Sequence, residues 1–262
     1  VSRLALTFNC QGATLAGTLD TAPGTSGLLL VSGGNEIRSG AFAGQARFAA
    51  EIARAGFPVF RFDRRGTGDS EGPNRGFRHE GEDIAAALAA FRAMTPQLGR
   101  VVGMGNCDAA SALMLAGGAR CDALVLSNPW TIEETGEETP KDATPPASAI
   151  RARYLAKLKN PREIVRLLSG KVDLGKLLRG IAKAAGPKAA QSTLAAEMRA
   201  GLERFDGPVR ILLAEADRTA QVFAENWPED PRIARCPGAG HAYVESHARQ
   251  WLREKVLGAL RG

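Results

Sequence analysis

Five stretches of this chain are apolar at nearly every position: Gly27–Val31, Pro58–Phe62, Val101–Met104, Ala123–Leu126 and Val209–Ala214. A strand with one wet face alternates apolar and polar residues. A strand without that alternation has to be covered on both sides, which is the condition of a parallel sheet packed between helices. The intervening segments carry the longer period of a helix. In Glu80–Met94, Ile84, Leu88 and Phe91 fall at i, i+4 and i+7. Residues 41–55, Asp108–Ala116, Thr219–Asn226 and Ala242–Leu260 read as helices too. Leu4–Phe8 and Leu15–Leu19 alternate around a Gln11-Gly12 turn and form an antiparallel pair. With Arg232–Cys236 the pattern predicts an α/β fold: a mostly parallel central sheet of about eight strands with helices on both faces.

The rhythm stops at 131–206. Thr131–Pro146 is acidic and punctuated by proline, and Ala147–Ala185 is a run of short amphipathic helical pieces with no strand. The division predicted is a core of 1–130 and 207–262, interrupted by a helical cap or lid at 131–206 over the site. Residues 141–206 hold 14 Lys/Arg against 6 Asp/Glu, while the remainder of the chain carries a net charge of −2. A basic insert can steer an anionic or carrier-bound small molecule, or make peripheral contact with a membrane surface; it can equally be a solvated helical face. No aromatic-studded basic strand or recognition helix speaks for nucleic acid. No apolar run approaches the roughly 20 residues of a membrane span, and the first residues lack a signal-peptide h-region. Cys10, Cys107, Cys121 and Cys236 are widely spaced, without a CxxC pair or a histidine at ligand spacing. That pattern argues against a metal site or a disulfide framework, and for a reducing compartment, by default the cytoplasm.

Two glycine-framed motifs compete for the role of nucleophile. Gly68-Asp69-Ser70-Glu71-Gly72 matches G-x-S-x-G letter by letter, but Ser70 lies in a loop well past its strand and is followed by Pro73-Asn74 instead of a helix. Gly105-Asn106-Cys107-Asp108-Ala109 has the setting that such a motif needs. A strand runs into it, a helix leaves it, and the residues two before and two after the nucleophile are small, so strand and helix can nearly touch. Cys107 then sits at a helix N-terminus, whose partial positive charge favours thiolate.

A cysteine nucleophile needs a base. His241 follows the last strand in Pro237-Gly238-Ala239-Gly240-His241, where glycines let a loop fold over the sheet edge. His247 falls on the terminal helix, and His79 sits among acidic residues at a helix start. His241 is therefore the expected base. The base needs a carboxylate to hold its tautomer, and the loop after Val209–Ala214 offers Asp217, with Glu215 as rival. Acyl chemistry also needs donors for the developing oxyanion. The amide of Asp108 is one; the other comes from Gly34 or Asn35 in Ser32-Gly33-Gly34-Asn35-Glu36. Trp130, just past a strand end, is a candidate pocket wall. No cofactor is implied.

Gly33-Gly34, Arg61–Gly72, the elbow, Asp217 and His241 together resemble the α/β-hydrolase superfamily over nearly the whole chain. Gly105–Ser111 and Arg61–Gly72 resemble more narrowly the bacterial hydrolases associated with the exosortase A system, and dienelactone hydrolases are similar in using cysteine in a comparable elbow. The resemblance implies the α/β-hydrolase fold and, for the narrower family, a role near exopolysaccharide production. Ser32, where many hydrolases carry histidine, is a departure from the pattern. The expected activity is ester or thioester hydrolysis through a Cys-His-Asp triad and an acyl-enzyme. Acyl transfer to an alcohol is the alternative within that chemistry, and a catalytically silent binding protein the alternative outside it. A dinucleotide-binding reading of Gly103-Met104-Gly105 fails because Asp108 stands at the third glycine position.

Overall fold

The structure is a computed structural model and describes residues 2–132 and 192–262; the cap expected for the residues between them lies outside that range. Each apolar run forms a strand. With the alternating pair at the start and the short strand near the end, the described strands are β1 (Arg3–Cys10), β2 (Ala13–Asp20), β3 (Ser26–Val31), β4 (Val59–Phe62), β5 (Arg100–Asn106), β6 (Ala123–Ser127), β7 (Val209–Ala214) and β8 (Ile233–Cys236). They pair into one sheet in the order β1-β2-β4-β3-β5-β6-β7-β8. β2 pairs antiparallel with β1 and β4, and the other pairings are parallel. The described helices are α1 (Gly44–Arg54), α2 (Gly81–Met94), α3 (Asp108–Leu115), α4 (Thr193–Glu203), α5 (Arg218–Asn226) and α6 (Ser246–Arg261). None of them is long and apolar enough to cross a membrane.

Both faces of the sheet are buried along β3 to β7, as the unbroken apolar runs require. Successive residues of one strand go to opposite cores. Leu29, Val101, Leu124 and Ile211 join Phe91, Leu113, Met198 and Phe223 on the side of α2 to α5. Leu28, Val102, Val125 and Leu212 join Ile52, Val256 and Leu260 on the side of α1 and α6. Helix α4 falls within the stretch that the sequence assigns to the insert, yet Leu194, Met198 and Leu202 are part of the first core. The C-terminal helix begins at Ser246, not Ala242, because Tyr243 takes a positive φ of 50° and the preceding residues are held as a loop.

Chain order reverses around β3: one neighbour, β4, follows it in sequence, and the chain then crosses back to lay β5 on the other side. Loops leaving β3 and β5 therefore part in opposite directions and open a crevice at the carboxyl ends of the strands. Cys107 and Gly33-Gly34-Asn35 stand at that point.

Helices α3 and α4 approach so closely that a Cβ on Gly201 would lie 2.1 Å from the carbonyl oxygen of Met114. Backbone cannot swing aside. Gly201→Ala is expected to cost about 1–3 kcal/mol by overpacking, even after the ~1 kcal/mol that alanine gains over glycine in a helix. The urea midpoint of unfolding measures it.

Candidate active site

The elbow forms where β5 passes into α3 through a single residue. Cys107 has φ 62° and ψ −130°, a conformation that costs a non-glycine residue roughly 1–3 kcal/mol. Its cause is local. A Cβ on Gly105 would meet the carbonyl carbon of Ala109 at 2.5 Å, so strand and helix touch and only a sharp reversal joins them. Backbone bonds then fix the turn: the Cys107 N–H donates to Ser127 O at 3.0 Å, and the Cys107 carbonyl accepts from Ala110 at 3.1 Å and Trp130 at 3.3 Å. The thiol is left partly exposed at the N-terminus of α3, while Cys10, Cys121 and Cys236 are buried. Burial pushes the thiols of Cys10 to about 11 and of Cys121 to about 12.

Asp217 and His241 meet as the sequence predicts. His241 Nδ1 lies 3.0 Å from Asp217 Oδ2. That carboxylate is also the N-cap of α5, accepting the Ala220 N–H at 3.0 Å, so the helix start holds it in place. Glu215, the rival, is exposed on the strand side of the same loop. The bond from Asp217, and after it the interaction with Cys107, raise the His241 pKa to about 10 against the opposing effect of burial. The imidazole is thus flanked by a carboxylate and by the elbow sulfur. Neither other histidine joins it: His247 bonds the Pro237 carbonyl at 3.0 Å, and His79 is exposed on the short Phe77–His79 turn.

Ser70 is a structural hydroxyl. It donates to the Asp63 carbonyl at 2.6 Å and accepts the Ala16 N–H at 2.9 Å, sewing the loop after β4 to β2. Trp130 lines a cleft of about 570 Å³ together with Phe77, Arg78, His79 and Leu194. Its own N–H also reaches Ser111 Oγ at 2.8 Å, which ties this wall to the elbow helix.

Of the three amides expected to serve an oxyanion, one is engaged. The Gly34 N–H donates to Asp108 Oδ1 at 2.6 Å. The N–H groups of Asn35 and Asp108 make no hydrogen bond among the described residues. Ser32, at the position of the missing histidine, is buried and donates to Gln45 Oε1 at 3.0 Å.

Two asparagines escape a reading of the sequence. Asn128, wholly buried just past β6, accepts the Ala214 N–H at 2.8 Å and donates to Asn106 Oδ1 at 3.0 Å and to the His241 carbonyl at 3.3 Å. Asn106 Nδ2 lies 3.3 Å from His241 Nε2. One buried amide therefore ties the ends of β5 and β7 to the histidine loop. The available signal was a polar residue ending an apolar run before Pro129.

A model of the Alpha/beta hydrolase family matches residues 28–254. No curated protein matches the sequence. Among solved structures, the alpha/beta hydrolase GrgF from a Penicillium species superposes with a TM-score of 0.66 at 16% identity, covering 100% of both chains. An esterase from Pyrococcus furiosus gives 0.63 at 14% identity, over 99% of this chain and 91% of its own. A lidless serine hydrolase from Xanthomonas campestris gives 0.58 at 16% identity, over 100% and 94%.

The strain at the elbow is measurable. Cys107→Gly is expected to be more stable than Cys107→Ala by about 1 kcal/mol, because glycine alone takes the positive φ freely. Equal denaturation midpoints for the two variants would show an unstrained turn.

Proposed function

The chain belongs to the alpha/beta hydrolase family, and on that premise we propose that it hydrolyses an ester or thioester with Cys107 as nucleophile, His241 as proton carrier and Asp217 as its anchor. The observation that carries this is the pairing of a strained, partly exposed cysteine between strand and helix with an imidazole held by a carboxylate at 3.0 Å. Here Ser70, the alternative hydroxyl, is committed to two backbone bonds.

The chemistry follows from the arrangement. Cys107 gives its thiol proton to His241 Nε2, its Sγ attacks the carbonyl carbon, an S–C bond forms, and the π pair moves onto oxygen. The amide of Asp108, with Gly34 or Asn35, meets that negative charge. As the intermediate collapses, the imidazolium gives its proton to the departing alkoxide or thiolate. Water then attacks the acyl-enzyme, His241 takes a proton from it, and the acid leaves with Cys107 restored. Asp217 keeps Nδ1 protonated, so that Nε2 is the nitrogen that trades protons. The cleft beside Trp130 is the proposed acyl pocket, the part of 131–206 that precedes α4 its proposed cover, and an envelope-polysaccharide setting is proposed from the resemblance to the exosortase-associated hydrolases.

Intact-mass spectra across a panel of esters and thioesters test the reading. The wild type and Ser70→Ala should gain one acyl mass, and Cys107→Ala none, with kcat/KM lower by at least ~10³-fold. Free acid, not an acylated alcohol, should accumulate. An adduct that persists in Cys107→Ala would dismiss the nucleophile.

A further inference from the structure

Beneath the elbow lies a buried charged group that the proposed chemistry leaves unused. Arg64 comes from the loop after β4, Glu80 from the residue before α2, and Asp108 from the first turn of α3. Arg64 is 5% exposed and Glu80 2%. Arg64 Nη1 stands 3.6 Å from Glu80 Oε2 and 3.8 Å from Asp108 Oδ2. Both separations suit an ion pair, and both are too long for a hydrogen bond. Among the described residues, Arg64 Nε and Nη1 and both Glu80 oxygens have no hydrogen-bond partner. Buried polar groups are rarely left so, and a guanidinium midway between two carboxylates satisfies neither. Its Nη2 donates to Asn35 Oδ1 at 3.4 Å, which leaves the rest of the guanidinium two carboxylates between which to settle.

The choice matters because of the other oxygen of Asp108. Oδ1 accepts the Gly34 N–H at 2.6 Å, a short charge-assisted bond. A carboxylate oxygen thereby occupies one of the donors that the acyl chemistry calls on for its oxyanion.

We infer that Arg64 and Glu80 are positioning residues that decide whether the Gly34 N–H is free for substrate. With Arg64 drawn to Asp108, the carboxylate leaves Gly34 and the donor faces the crevice. With Arg64 drawn to Glu80, Asp108 stays on Gly34 and the donor is blocked. This regulation rests on the cysteine-hydrolase reading above.

The charge on Glu80 selects between the two. Burial pushes its carboxyl up to about 8, with Arg64 opposing and Asp108 and Asp83 adding to the rise. The charged and titratable groups around it are Arg64 and Arg65 from the loop, Asp83 on α2 (already bound to Arg65 at 2.5 Å), Asp108 on α3, and Arg75 and His79 on the neighbouring turn. Below that pKa, Glu80 is neutral and the Arg64 charge goes to Asp108. Above it, ionised Glu80 competes for Arg64 and the donor closes. Activity therefore falls as pH rises through about 8, below the value of about 10 at which His241 loses its proton.

Two readouts test this. The first is kcat/KM for p-nitrophenyl acetate across pH in the wild type, Glu80→Gln and Asp108→Ala. The wild type should lose about tenfold between about pH 7 and pH 9, the change in protonated Glu80 over that span, and both variants less than about twofold. The second is the ¹H–¹⁵N resonance of Gly34, which should titrate near pH 8 in the wild type and in Cys107→Ala, and not in Glu80→Gln. A Gly34 resonance that stays flat, or a Glu80→Gln profile that falls like the wild type, overturns the inference. If Glu80→Gln does not fold, the wild-type Gly34 titration decides alone. Hydrolysis surviving in Cys107→Ala would defeat the nucleophile while leaving Gly34 to report on the switch.

Discussion

The molecule depends on one contact: the backbone of β5 against the backbone of α3 at Gly105 and Ala109. Because a Cβ on Gly105 would fall 2.5 Å from Ala109, the strand enters the helix with no spare length. Cys107 has to take up the reversal alone, at φ 62°. That single strained residue lifts a thiol out of the sheet and puts it at a helix N-terminus. The parallel sheet and its two cores give the rigidity to hold such a turn.

Opposite the elbow, three loops have to be brought into register without secondary structure of their own. The histidine loop is held by backbone and by one buried amide. The Ala216 N–H bonds the Ala239 carbonyl at 2.9 Å, and Asn128 reaches the His241 carbonyl from beneath. The Ser127 hydroxyl donates to the Tyr243 hydroxyl at 3.0 Å. Asp217 serves two ends at once, since the oxygen that caps α5 also fixes His241. Removing such a carboxylate disturbs the start of α5 and the seating of His241 together.

Much of this was legible in the sequence, and the reasons are physical. A strand buried on both faces has to be apolar throughout, so β3 to β7 announce themselves and their order of appearance dictates a parallel sheet. Cys107 and Asp217 are readable because each stands just past the end of such a strand, and His241 because the glycine-rich loop after β8 carries it. Asp217 is the sequence's choice over Glu215, and the structure seats its Oδ2 3.0 Å from His241 Nδ1 while the same oxygen caps α5. Other features depend on contacts between distant segments. Asn128 looks like any residue of a turn until β6 is known to lie between β5 and β7. The bond of Asp108 to Gly34 joins residues 74 apart and reverses the expectation of a free donor. The start of α6 was misplaced because Tyr243 adopts a positive φ that nothing in its neighbours requires.

The central claim is that Cys107 is reactive because His241 stands beside it, and one measurement addresses it directly. Site-resolved rates of iodoacetamide alkylation at neutral pH compare the four thiols within one molecule. Cys107 should react at least ~10-fold faster than Cys10, Cys121 or Cys236, and should slow by a similar factor in His241→Ala. A Cys107 that alkylates equally fast with and without the imidazole would contradict the pairing on which the enzyme reading stands.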